Sequence, residues 1–194
     1  LNAGSICGTN NGVIVACLNE AQIYNASGFA GGICGTNSAT GTILACVNTG
    51  NIPGGTVIGG IAGHNDNHNE GAVAACVNTG MLYRLGANLG GISGTSVTSS
   101  NDIIRTSFWL VGTVQKYVGE YETPVDTDGV LVFDSTGLDP DALRNGLSAG
   151  ETEDKRVINR LNAELLRYPA WSNFYEFVIN RTETGITWPA PVKK

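Results

Sequence analysis

Charge is what this sequence has least of. Charged side chains make up 14% of the chain, against roughly 25% in an ordinary globular protein. Of 11 basic and 17 acidic residues, only Glu20, Asp66, Glu70 and Arg84 fall within the first hundred positions. With a net charge of -6 and no lysine in that stretch, the chain lacks the basic surface that neutralises nucleic-acid phosphates. Aromatic residues are scarce there too, limited to Tyr24, Phe29 and Tyr83. No apolar run approaches the roughly 20 residues that span a bilayer. No two cysteines stand at the close spacing of a zinc ribbon. A hydrophobic share of 42% is too high for a disordered chain. The sequence opens at Leu1 with neither an initiator Met nor a signal peptide, so a mature protein or an excised fragment is expected.

What is abundant is glycine, and it is unevenly spread: 20 of the 27 glycines lie before residue 101. They belong to a repeat. Gly-Ser-Ile-Cys-Gly at 4–8 returns as Gly-Gly-Ile-Cys-Gly at 31–35, Gly-Gly-Ile-Ala-Gly at 59–63 and Gly-Gly-Ile-Ser-Gly at 90–94. A second block reads Val-Ala-Cys-Leu-Asn at 15–19, Leu-Ala-Cys-Val-Asn at 44–48 and Ala-Ala-Cys-Val-Asn at 74–78, and decays to Arg-Thr-Ser-Phe-Trp at 105–109. Apolar residues keep the same period at Ile14, Ile43, Val73 and Ile104, and again at Ile23, Ile52 and Leu82. Short β-branched runs punctuated by Gly and Asn, repeating about every 30 residues, predict the coils of a β-solenoid. Gly-Gly and Asn-Thr-Gly inside each unit would break the helices of a helical repeat. Ile33, Ile43, Cys46, Ile52 and their equivalents are expected to point inward and stack about 4.8 Å apart. A charge repeated every coil would stack on itself, which accounts for its scarcity.

The Gly-Gly-Ile-Ala-Gly block followed by Ala-Cys-Val-Asn-Thr-Gly resembles the GLUG-type repeats of bacterial cell-surface proteins, over roughly residues 1–110. Such repeats occur in adhesin-like proteins of gut Bacteroidetes and in secreted peptidases that cut immunoglobulin A. The resemblance implies a surface-exposed scaffold. The peptidase branch does not carry over, because the zinc-peptidase motif is missing.

Several residues invite a chemical reading. Cys17, Cys46 and Cys76 share one repeat position and Cys7 and Cys34 another. Free buried thiols stacked in columns are expected rather than disulfides, since parallel side chains give poor bridging torsions. Asn19, Asn48 and Asn78 would stack as an amide ladder that caps turns. His64, Asp66, His68 and Glu70 fall together in one stretch, but His64 and His68 form a metal pair only on a helix. A solvated corner insertion is the expectation, with no metal or cofactor. Asp126/Asp128 and Asp139/Asp141 have the pairing of glycosidase carboxylates yet sit in turns flanked by Pro and Gly. With both histidines in one polar loop, no Ser-His-Asp arrangement is credible.

After Trp109 the composition becomes ordinary. Residues 130–133 read as a strand and 139–143 as a helix start. Residues 153–167 read as a helix with Val157, Leu161 and Leu165 on one stripe, acids at its start, Arg167 at its end and Pro169 beyond it. Residues 174–179 and 185–188 read as strands. Such a segment is expected to cover the open end of the solenoid, with Trp109, Trp171, Phe174 and Trp188 as the covering aromatics.

The expected architecture is therefore mainly β: a parallel β-helix of about four coils over 1–110, followed by an α+β capping region over 111–194. The expected function is a non-catalytic, adhesin-like bacterial cell-surface module presenting or binding a host or matrix protein or glycan. It would be monomeric, extracellular or on the outer-membrane surface, and attached to a membrane only through a missing N-terminal region. A carbohydrate-binding module is the alternative, expecting solvent-facing aromatics such as Tyr24 and Tyr83. A polysaccharide-cleaving β-helix is the second alternative.

Overall fold

A computed structural model describes residues 1–24, 27–70, 72–83, 88–97, 103–109, 157–181 and 187–194. The first half is a β-solenoid of four parallel sheets. The first sheet stacks Asn2–Gly4, Phe29–Gly31, Val57–Gly59 and Asn88–Gly90. The second stacks Cys7–Asn10, Cys34–Asn37, Ala62–Asn65 and Ser93–Ser96. The third stacks Val13–Val15, Thr42–Leu44, Val73–Ala74 and Ile104–Arg105, and the fourth Leu18–Asn19, Val47–Asn48, Val77–Asn78 and Phe108–Trp109. Each sheet visits the four coils in chain order, so the chain completes three full turns between the first strand of a sheet and its last. Register is kept residue for residue: Cys7 faces Cys34, Ile14 faces Ile43, and Asn48 faces Asn78.

Three apolar clusters result. The central one holds Ile33, Ile61 and Ile92 with Ile14, Ile43, Val73 and Ile104, the cysteine column and Trp109. Fully burying each isoleucine stabilises the stack by about 1.5–3 kcal/mol. Ile52 points inward as expected and stacks on its equivalent Leu82, in a separate cluster with Ala30 and Ile58. The physical reason is the first sheet itself, whose strands carry Ala30 and Ile58 toward Ile52 while their glycines lie against the second sheet. A Cβ on Gly31 would overlap the Cys34 carbonyl, and one on Gly59 the Ala62 carbonyl.

The third cluster changes the role of the C-terminal region. Leu44, Ala45, Val47, Ala74, Ala75, Val77 and Phe108 point out of the third and fourth sheets, and Val157, Leu161, Leu165, Phe177 and Ala190 cover them. The covering elements are α1 (Val157–Leu165), the short α2 (Pro169–Ser172) and an antiparallel pair, Tyr175–Arg181 with Thr187–Lys193. These described elements form a lid along the flank of the solenoid, not a plug on its end. Trp109, expected among the covering aromatics, is 1% exposed inside the central cluster. Trp171 is half-buried against the flank, and Phe174 is exposed. Two boundaries also shift. Pro169 opens α2 instead of simply ending a helix, because its fixed φ suits a first helical turn. The last strand runs on through Pro189 and Pro191 to Lys193, as an edge strand allows. The stretches 110–156 and 182–186 lie outside the described residues, as do the side chains of 179–181 and 187–189. The expected strand at 130–133, helix start at 139–143, carboxylate pairs and Trp188 side chain all fall there.

Candidate functional site

The polar side chains that the fold gathers are mostly interior and mostly satisfied. Asn19, Asn48 and Asn78 form the expected ladder: Asn19 Nδ2 donates to Asn48 Oδ1 at 2.7 Å and Asn48 Nδ2 to Asn78 Oδ1 at 2.8 Å. Each amide also donates to the carbonyl two residues on, at Ala21, Gly50 and Gly80. The ladder explains the Gly-Gly-Ile motif. A Cβ on Gly32 would overlap the Asn48 amide, one on Gly60 the Asn78 amide, and one on Gly91 the Trp109 ring. Glycine and asparagine therefore recur together because one fills the space the other leaves.

A second ladder was not anticipated. Asn10 Nδ2 donates to Asn37 Oδ1 at 2.9 Å and Asn37 Nδ2 to Asn65 Oδ1 at 2.8 Å. Asn10, Asn37 and Asn65 are all buried. The signal was present as Gly-Thr-Asn at 8–10 and 35–37 and Gly-His-Asn at 63–65. Buried amides in such chains have their bonding capacity filled by one another and by backbone, which leaves little for a ligand.

Cys17, Cys46 and Cys76 serve the corners. Ala16, Ala45, Ala75 and Thr106 adopt φ of 53°, 53°, 51° and 37°, the left-handed region that disfavours a β-carbon. The next residue closes each corner by bonding back across it. Cys17 Sγ donates to Val15 O at 3.4 Å, Cys46 to Leu44 O at 3.3 Å and Cys76 to Ala74 O at 3.2 Å, and Ser107 Oγ to Arg105 O at 2.9 Å. All five cysteines are free. Burial pushes the Cys34 and Cys46 thiols well above their ordinary range, and Cys7 rises for the same reason. Cys17 is raised chiefly by its hydrogen bond with Cys46. Thiols held protonated in this way are poor nucleophiles and poor metal ligands.

The histidine stretch is dispersed by the fold. His64 is half-buried, stacked on Phe29 with ring centroids 4.8 Å apart, and its Nδ1 lies 2.7 Å from Thr95 Oγ1. His68 and Glu70 are exposed, and Glu70 is drawn into an ion pair with Arg105. The expected solvated insertion is thus only partly solvated. Asn65 and Asn67 are buried because the second ladder and the Gly41 carbonyl take their amides. Among the described residues, no three His, Cys, Asp or Glu side chains gather as a metal site.

One charged cluster joins the lid to the solenoid. Arg105 Nε lies 3.0 Å from Glu164 Oε1, and Thr106 Oγ1 donates to Glu164 Oε2 at 3.0 Å. Glu164 is 6% exposed, and burial raises its carboxyl above the usual range while the Thr106 bond pulls it back. Burial, with the same carboxylate beside it, pushes the Tyr168 hydroxyl up to about 12. Arg105 and Glu164 thus meet where α1 crosses the fourth coil.

The opposite character is found on the turn after the fourth sheet. Tyr24, Met81 and Tyr83 are exposed at 68%, 54% and 46%. Gln22 Nε2 donates to the Tyr83 hydroxyl at 3.2 Å. The structure thus leaves the two tyrosines singled out from the sequence exposed, with Tyr83 bonded to Gln22. No helix among the described residues is long and apolar enough to cross a membrane. Compared with known proteins, the chain matches no family model, and no curated protein or solved structure is significantly similar to it.

Proposed function

We propose that the protein is a non-catalytic, adhesin-like module of a bacterial cell surface, a stiff rod that holds one flank toward a host or matrix ligand. The observation that carries this reading is the contrast between its two flanks. One is closed by α1 and the strand pair over Leu44, Val47, Val77 and Phe108, while Tyr24, Met81 and Tyr83 are exposed and no described element packs over them. Two Asn ladders and an interior of stacked isoleucines favour rigidity over induced fit, the property of a presenting scaffold. The thiols and amides are consumed by structure. The resemblance to GLUG-type repeats supports the extracellular setting.

Coating beads with the protein and rolling them over immobilised matrix proteins and mucin-type glycoproteins tests the reading. Retention on at least one surface, with no release of reducing ends from the glycans, is expected. Failure to adhere to any of them would remove the binding role, and released reducing ends would restore the polysaccharide-cleaving alternative.

A further inference from the structure

We infer that the flank formed by Gln22, Tyr24, Asn51, Pro53, Met81 and Tyr83 is a binding strip for an extended, neutral glycan chain. The inference rests on the presenting role proposed above and gives that role a site and a ligand class. The flank is built by the repeat. Ile23 N donates to Asn51 O at 3.0 Å and Ile52 N to Met81 O at 2.8 Å, and Ile52 pairs in parallel with Leu82. Ile52 and Leu82 face the interior at 0% and 3% exposure; the residues beside Leu82, Met81 and Tyr83, are exposed, as are Gln22 and Tyr24, and those beside Ile52, Asn51 and Pro53, are half-buried. They fall into two columns along the axis, Gln22–Asn51–Met81 and Tyr24–Pro53–Tyr83.

The chemistry of these columns is specific. None of the six side chains is charged, which suits a neutral ligand. The bond from Gln22 to the Tyr83 hydroxyl runs from the first coil to the third, a separation of about 9.6 Å at the usual strand spacing. The Tyr83 hydroxyl is thereby drawn back along the axis toward the first coil. The bond restrains the Tyr83 side chain, which is 46% exposed, so less side-chain entropy remains to be lost on binding. Tyr24 is the more exposed of the two and continues the aromatic surface. Flat aromatic faces suit the C–H faces of pyranose rings; Gln22 Nε2 is bonded to Tyr83 and Asn51 Oδ1 accepts from Met81 N at 2.9 Å, so Gln22 Oε1 and Asn51 Nδ2 are the amide atoms offered to sugar hydroxyls. A ligand lying parallel to the solenoid axis meets both columns, which calls for a chain of several sugars and not a monosaccharide.

Calorimetric titration of the whole protein with cellohexaose, mannohexaose and N-acetylchitohexaose tests this, alongside glucose. At least one hexasaccharide is expected to bind, with no dependence on salt, and glucose is not. Tyr24→Ala and Tyr83→Ala should each weaken that binding about tenfold, while Tyr24→Phe keeps it. Both rings are exposed, so unchanged melting temperatures will show that the variants fold. Binding of none of the hexasaccharides, or wild-type binding by the double alanine variant, would overturn the inference. If the double variant still holds beads to a surface, the flank is misassigned and the presenting role stands; if the wild type holds to none, the presenting role itself fails.

Discussion

The first and third coils are written in nearly the same letters and live in different surroundings. Ile6 and Ile61 occupy one repeat position, yet Ile6 is 46% exposed and Ile61 is fully buried. Cys7 and Cys17 are half-buried where Cys34, Cys46 and Cys76 are sealed. Ser5 stands where the inner coils have Gly32 and Gly60, and its hydroxyl reaches the Gly32 carbonyl. The difference teaches that a residue in a solenoid draws its worth from the coil on each side of it, as nearest-neighbour behaviour requires. An inner residue stacks on two neighbours; a first-coil residue stacks on one.

The sharpest break of that comparison is an exchange at the glycine position. A side chain on Gly60 would overlap the Gly91 carbonyl and the Asn78 amide together, and neither can retreat without opening the ladder. Gly60→Ser is expected to destabilise by more than about 4 kcal/mol and to leave little folded protein. Ser5→Gly, at the equivalent place in the first coil, should stay within about 1 kcal/mol because it removes one hydrogen bond at an exposed site. Urea unfolding of both measures the contrast; equal effects would mean that the coils do not depend on their neighbours.

Next in size comes truncation of the central isoleucines. Ile61→Ala leaves a void between Ile33 and Ile92 and should cost about 3 kcal/mol. Ile6→Ala removes a side chain that water already reaches and should cost under about 1 kcal/mol. Both variants keep the backbone register, so thermal melts of the two report burial alone. An Ile6→Ala penalty as large as that of Ile61→Ala would show that the first coil is covered in solution.

How far such contrasts were legible varies with the residue. The repeat, the central isoleucines and the Asn19–Asn48–Asn78 ladder could be read directly, because periodic apolar and amide positions have one physical use in stacked parallel strands. The Asn10–Asn37–Asn65 ladder kept the same period and was hidden by its neighbours, since Gly-Thr-Asn reads equally well as a turn. The positive φ of Ala45 could not be foreseen, as alanine gives no sign of left-handed backbone. The lid along the flank had left a trace in Ile43-Leu44-Ala45-Cys46-Val47. A strand apolar on both faces requires cover on both, and composition alone pointed to the end of the solenoid. Glu164 lay unnoticed on its helix because its partners, Arg105 and Thr106, come from the decayed fourth copy of the motif.

That latch supplies the smallest effect and extends the comparison to the fourth coil, where charge first enters the stack. The Glu164 carboxyl is raised in the folded protein by burial, against the pull of Thr106. A carboxyl raised above its unfolded value binds its proton more tightly when folded. Its favourable contribution is complete below the unfolded value and is lost as pH rises through the folded one. The wild type should therefore gain stability relative to Glu164→Gln as pH falls from neutral toward the ordinary carboxylate range, with the two lines flat against each other above it. Other acids titrate in both proteins and cancel in the difference. Should the wild type instead lose ground on acidification, the Arg105 pairing outweighs desolvation, and the lid is held by its charge rather than by Val157, Leu161, Leu165 and Phe177 on the flank.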